Sequence, residues 1–199
     1  MRTIAMKIAI TGNIGSGKST FTSFAEEAGF QVLKADDISK SILNTDEKVC
    51  ALVIKEFGAK SYQDGKPDKN FLAKEVFSDP IKLQKLESIL HPKVLKSIDK
   101  SVKELLKNNN VVFIEAALVY EADLEDRFDY VVLISAERNI RLKRKIESGI
   151  SEEDFCKREL NQIPEEEKKK RADFVFSNDT TKEDLKMKFN LLLLTLGIN

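Results

Sequence analysis

Met6-Lys-Ile-Ala-Ile-Thr11, Gly12-Asn-Ile-Gly-Ser-Gly-Lys-Ser19 and Phe21-Thr-Ser-Phe-Ala-Glu-Glu-Ala28 lie almost end to end near the start of the chain. The first is short, apolar and rich in β-formers. The second is a glycine-rich turn. The third has apolar residues at helical spacing. Strand, loop and helix in that order start an α/β pattern. The middle segment matches G-x-x-x-x-G-K-[ST] in full. Its glycines permit positive φ and let the backbone close around a phosphate. The loop N–H groups then point inward as an anion nest, and the following helix adds its positive N-terminal dipole. Lys18 reaches the β- and γ-phosphates. The Ser19 hydroxyl is placed to ligate Mg²⁺, and Thr20 to support the α-phosphate. A purine nucleotide with Mg²⁺ is the expectation, held by Gly12, Asn13, Ile14, Gly15, Ser16, Gly17, Lys18, Ser19 and Thr20.

Outward from this stretch the pattern repeats. Gln31–Lys34, Val111–Ile114, Tyr130–Ile134 and Phe174–Phe176 read as further strands. Continuous β-branched runs without alternation suit a parallel sheet buried on both faces. The helical stretches between them predict a three-layer α/β/α fold with five parallel strands. Asp79-Pro80 opens a helix, with proline at its first position. His91-Pro92 predicts a break, because the residue before proline is biased away from helical backbone. Ser151–Asp154 and Thr180–Glu183 read as capping boxes. Glu165–Arg171 (EEEKKKR) reads as a solvated helix paired at i,i+4, Glu165 with Lys169, Glu166 with Lys170 and Glu167 with Arg171.

Composition narrows the function. The 199 residues include 33 basic and 33 acidic side chains, so net charge gives no footprint for nucleic acid or a membrane surface. Two cysteines and one histidine make neither a disulfide framework nor a zinc pattern. The N-terminus has no apolar leader, and the longest apolar runs are too short to span a bilayer. The expectation is a cytoplasmic, monomeric, single-domain enzyme. D-x-x-G and N-K-x-D, which mark translation-type GTPases, do not occur. A phosphate loop in a chain this short points to the small-molecule kinases.

The carboxyl ends of the strands face the ligand crevice in such folds. Asp36, after the second strand, is placed either to accept a substrate hydroxyl proton or to cap the next helix. Glu115, at the end of the third, either orients a Mg²⁺-bound water or is an ordinary polar strand end. Arg138, Arg141 and Arg144 share one helical face, with Arg158 on the next helix. They either neutralise a transferring phosphate or form a solvated basic face.

In series, GNIGSGKST, KADDISK, LHP at Leu90–Pro92, EAALVYE, the R-L-K-R of Arg141–Arg144, Gln162 and ADFVFSN at Ala172–Asn178 resemble the dephospho-CoA kinase family over nearly the whole chain. That resemblance implies phosphorylation by ATP of the ribose 3′-hydroxyl of dephospho-CoA, the last step of coenzyme A synthesis. The alternative is another small phosphate-loop nucleoside or nucleotide kinase. The resemblance implies a catalytic set of Asp36, Lys18 and Arg144. Asn178 falls on the adenine side of the ATP site, and Asp36, Lys40, His91, Leu118, Glu121 and Arg158 on the substrate side. It implies a core of residues 1–35, 110–147 and 172–199, a helical substrate-binding region at 36–109 and a lid at 148–171. The lid carries few large apolar residues, so little burial is expected to tie it down. Three positions depart from the family pattern. Lys34 stands where an acid is frequent and Ala117 where proline is frequent. Lys40 stands where arginine is common, and lysine cannot form arginine's bidentate fork.

Overall fold

The computed structural model describes residues 5–198. They divide into two compact units, Met1–Lys34 with Val102–Asn199 and, between these stretches, Ala35–Ser101.

The first unit is built on β1 (Met6–Thr11), β2 (Gln31–Lys34), β5 (Val111–Glu115), β6 (Tyr130–Ser135) and β7 (Phe174–Ser177). Their order in the sheet is β2-β5-β1-β6-β7, and every neighbouring pair is parallel. The strand leading into the phosphate loop is therefore central. Ile8, Ala9 and Ile10 are all fully buried, so both faces of β1 are covered, as the continuous apolar run predicts. On one face Ile8, Ile10, Phe113, Val132 and Ile134 pack with Phe21 and Phe24 of α1 (Lys18–Glu27). Leu185, Phe189 and Leu192 of the C-terminal helix, α9 (Lys182–Thr195), complete that layer. Phe189 meets Phe21 edge-on at 5.4 Å between ring centroids, a favoured aromatic geometry. On the other face Ala9 and Val131 pack with Val119 and Tyr120. Burial pushes the Tyr120 phenol up to about 12, so it stays neutral, with the Arg171 guanidinium 4.8 Å above its ring.

The second unit contains α2 (Ala35–Thr45), α3 (Glu47–Phe57), α4 (Lys69–Phe77) and most of α5 (Pro80–Leu105). Asp46 caps α3 by accepting from Lys48 and Val49 N–H, and Asp68 caps α4 through Phe71 N–H. The N-cap role expected of Asp79 is present, since Asp79 Oδ1 accepts from Ile81 N–H at 2.9 Å. The break expected at His91-Pro92 is absent. Helix α5 runs unbroken through Pro92 for 26 residues. Proline removes one backbone hydrogen bond there. Leu90, Val94 and Ile98 form a buried stripe at i,i+4 that holds the helix continuous across it. Burial also lowers the His91 pKa. A hairpin that the strand pattern did not predict joins β3 (Tyr62–Gln63) to β4 (Lys66–Pro67). Its turn is Asp64-Gly65, with φ of 49° and 74°, the signature of a two-residue primed turn.

Two smaller expectations shift. Ser151 caps α7 (Glu152–Leu160) by accepting from Asp154 N–H. At α9 the cap is Thr181, which accepts from Asp184 N–H, one residue later than the sequence reading placed it. Thr180 donates its hydroxyl to the Asp184 carboxylate instead. Helix α8 (Glu165–Arg171) forms, but it is not a purely solvated, self-paired helix. Lys169 does pair with Glu165 and Glu166. Lys168, however, is fully buried against Glu121 at 2.6 Å, and Arg171 pairs with Glu125. Among the described residues no helix is long and apolar enough to cross a membrane.

Candidate active site

The loop between β1 and α1 has its backbone fixed by close packing. Gly12 has φ of 149°, and a Cβ there would lie 2.2 Å from the Ile134 carbonyl oxygen of β6. That oxygen belongs to a sheet strand and cannot yield. Gly12→Ala is therefore expected to destabilise the fold by roughly 1–3 kcal/mol from backbone strain alone, with the overlap adding to it. Chemical denaturation measures it, and a loss under about 0.5 kcal/mol would contradict this packing. Gly17, at φ of 100°, is the N-cap of α1 and contributes no capping side chain. The first-turn N–H groups, which a side chain normally satisfies, are left for an anion.

The loop is braced from behind by its carbonyls. Arg141 and Arg144 lie on α6 (Arg138–Glu147), which follows β6. Arg141 Nη1 donates to Ile14 O at 3.2 Å. Arg144 Nη1 lies 3.5 Å from Gly15 O. Asn178, just after β7, donates from Nδ2 to Ser16 O at 2.8 Å, and its own carbonyl accepts from Arg144 Nη2 at 2.8 Å. Three successive carbonyls are thus drawn to the α6 and β7 side. Lys18 Nζ bonds Gly12 O at 2.7 Å and Asn13 O at 3.2 Å, folding its ammonium back over the loop. Three buried oxygens in and beside the loop, Thr11 Oγ1, Asn13 Oδ1 and Ser16 Oγ, have no partner among the described residues. Such atoms normally find one, so the cradle is built for a polar ligand. Ser19 is exposed in the first turn of α1, and Thr20 follows it, half-buried.

The other expected site residues fall in distinct places. Glu115 ends β5, opposite Ile10 of β1 and Lys34 of β2, and its Oε2 accepts from Thr22 Oγ1 at 2.7 Å. Leu118 is half-buried in the turn that follows. Glu121, expected on the substrate side, engages its Oε1 within the protein. It accepts from Ile163 N–H at 3.1 Å and pairs with buried Lys168. Arg158 lies in the C-terminal half of α7. In the second unit Asp36 is exposed in the first turn of α2, inside the helix and not at its cap. Lys40, one turn on, pairs with Asp37 at 2.9 Å. That hydrogen bond is the main reason its pKa rises, and the Asp36 charge adds to it. His91 is half-buried within α5.

Arg141 and three residues to which the sequence reading assigned no role, Glu159, Gln162 and Lys168, complete the first unit's site. Arg141, only 5% exposed, also donates to Ala136 O and to Glu159 Oε1 at 2.8 Å. Glu159 Oε2 holds Arg138 Nε at 2.8 Å. Gln162 Oε1 accepts from Ile14 N–H at 2.8 Å. The fourth is Lys168. Phe155 is fully buried, with the Arg138 and Arg141 guanidinium carbons 5.6 and 5.8 Å from its ring centre. The i+3 spacing of the arginines was visible in the sequence. Which of them turns inward was not.

A central β1, a braced phosphate loop and a parallel β2-β5-β1-β6-β7 sheet define a phosphate-loop kinase. The comparisons with known proteins narrow the class. A family profile described as dephospho-CoA kinase matches residues 6–184. The chain belongs to the dephospho-CoA kinase family, whose activity is an ATP-dependent phosphotransfer. It is 37% identical to the dephospho-CoA kinase of Aquifex aeolicus over 179 residues, 89% of this chain and 91% of that one. It is 35% identical to that of Thermus thermophilus over 190 residues, 95% of this chain and 91% of that one. The solved dephospho-CoA kinase of Campylobacter jejuni superposes with a TM-score of 0.70 at 27% identity, covering 96% of each chain. A shikimate kinase from Acinetobacter baumannii, 14% identical with a TM-score of 0.54 over 98% of this chain and 96% of that one, shares the fold.

Proposed function

We propose that the chain transfers the γ-phosphate of ATP to the ribose 3′-hydroxyl of dephospho-CoA, giving coenzyme A and ADP. The observation that carries the reading is the braced loop with its unpartnered buried oxygens, in a chain of this family. In this reading the inward N–H groups of Gly12–Ser19 hold the phosphates, and the Lys18 ammonium swings from the loop carbonyls to the β,γ-bridge. Asp36 accepts the proton of the 3′-hydroxyl as the new O–P bond forms and the bond from the γ-phosphorus to the bridging oxygen of ADP breaks. Arg144 and Arg158 balance charge on the transferring group, Asn178 lies beside the adenine, and Lys40, His91, Leu118 and Glu121 serve the acceptor. Ser19 would hold Mg²⁺ directly and Glu115 through water. Bound there, Mg²⁺ would supply positive charge against the phosphates. The hydroxyl at the helix start and the carboxylate at the strand end are oxygen donors of the kind Mg²⁺ takes. Arg141, Arg144, Gln162 and Asn178 brace the loop from within the same chain, so the reading needs no second copy. A cytoplasmic setting fits the nucleotide and the two free thiols, Cys50 and Cys156.

The test is ADP release with ATP, Mg²⁺ and dephospho-CoA, with the product identified by mass. Release only with another nucleoside or nucleotide acceptor would favour the alternative kinase.

In the same reading, residues 36–109 bind the acceptor and residues 148–171 act as a lid. The sequence suggested a segment held by little. It is in fact tied by the fully buried Phe155 and by polar contacts: Glu159 with two arginines, Gln162 with Ile14, and Lys168 with Glu121. In this reading Glu159 and Gln162 stay on the loop while the rest of the segment closes over the phosphates. Hydrogen exchange across 148–171 is expected to slow when ATP and dephospho-CoA are both bound. Equal protection in the free and doubly bound protein would make the segment a fixed helical layer.

A further inference from the structure

Ile14, at the tip of the phosphate loop, is held at both of its backbone polar groups, by one side chain from α6 and one from just beyond α7. Its N–H donates to Gln162 Oε1 at 2.8 Å. Its carbonyl accepts from Arg141 Nη1 at 3.2 Å. Arg141 is oriented in turn. Its Nε is fixed by Ala136 O at 3.0 Å and its Nη2 by Glu159 Oε1 at 2.8 Å, and its guanidinium carbon lies 5.8 Å from the centre of the buried Phe155 ring. Glu159 and Gln162 are three residues apart, at the end of α7 and just beyond it. One amide directly, and one carboxylate through Arg141, therefore set both backbone polar groups of a single residue more than 140 positions away in sequence.

We propose that Gln162 and Glu159 are positioning residues for phosphoryl transfer. They set the first limb of the loop, Asn13–Gly15, so that the γ-phosphate sits in line with the acceptor hydroxyl. Neither touches the reacting atoms in this assignment, and Glu159 acts through Arg141. The limb must be held because its other bonds are local, Ser16 N–H to Asn13 O at 3.1 Å and Lys18 Nζ to the same oxygen at 3.2 Å, apart from the long 3.5 Å contact of Arg144 with Gly15 O. A turn closed only on itself can still tilt as a unit. The clamp at Ile14 removes that tilt. In-line transfer is sensitive to such a tilt, since a displacement of about 1 Å costs up to about a hundredfold in rate. Affinity for ATP is spread over many loop contacts and is far less sensitive.

The inference rests on the dephospho-CoA kinase reading, and its test separates the two. Gln162→Met keeps the side-chain length and removes the acceptor. Its kcat with dephospho-CoA is expected to fall at least about tenfold, with the dissociation constant for ATP within about twofold and the melting temperature unchanged. Glu159→Gln keeps an oxygen for one arginine and loses the charge shared by two, and should show the same split to a smaller degree. The Ile14 amide should exchange with solvent faster in Gln162→Met than in the unmodified chain. Wild-type kcat in Gln162→Met would overturn the proposal. So would a loss of kcat matched by an equal loss of ATP affinity or of thermal stability, because that is the mark of general structural damage. An unmodified chain that phosphorylates only some other acceptor overturns the dephospho-CoA reading. If the split at Gln162 then appeared with that acceptor, the positioning role would stand for that transfer.

Discussion

Lys18→Ala is expected to lower turnover by on the order of a hundredfold or more, the scale on which one preorganised charge contact to a transition state acts. The Lys18 ammonium already lies over the loop, bonded to Gly12 O and Asn13 O. It needs only to exchange those carbonyls for phosphate oxygens. Its charge grows in value as negative charge moves onto the β,γ-bridge, so the loss falls on the chemical step more than on ATP binding. Steady-state turnover with ATP and dephospho-CoA measures it. A circular-dichroism melt run alongside separates it from unfolding, since the two loop bonds are also lost. A folded Lys18→Ala protein with near-normal turnover would remove the phosphate loop from the chemistry.

The second large effect is expected at Asp36. Asp36→Asn should bind ATP normally and transfer on the order of a hundredfold more slowly or worse. The amide keeps the size of the side chain but does not take the hydroxyl proton. The sequence alone left a capping role equally open. The structure puts Asp36 in the first turn of α2, with the helix already started at Ala35. Its carboxylate then favours the helix only through the dipole, about 0.3–1 kcal/mol. Stability should therefore change little while turnover collapses. Wild-type-like turnover in Asp36→Asn would transfer the role to Asp37 or to no residue.

Much of this was legible in the sequence because the signals are local. Short runs of β-formers between helical stretches gave all five strands of the parallel sheet, and the loop motif pointed to a nucleotide. What was missed depends on contacts that leave little trace in residue type. Arg141, Arg144 and Asn178 are turned towards main-chain carbonyls of the loop. Any donor of the right reach could do this, so spacing does not reveal it. Lys168 sits in a run of charges that reads as a solvated face, and only the position of Glu121 shows that it turns inward. The helix through Pro92 was missed for the opposite reason. A local rule about the residue before proline was overridden by the burial of Leu90, Val94 and Ile98. The Asp64-Gly65 hairpin was readable from its turn dipeptide. Its strands are two residues each and have no alternation to read.

The anchorage of the loop's tip has a consequence for how this sequence can drift. Arg141 and Gln162 grip Ile14 by its carbonyl and its N–H, and neither contact involves the Ile14 side chain. The grip is blind to what residue 14 is. Substitutions there can accumulate without loosening the loop, provided the newcomer accepts the same backbone conformation. At Gly12 the reverse holds, because the strand carbonyl of Ile134 fills the space a side chain would need. Within a few residues the same loop therefore joins a position that tolerates change to one that does not.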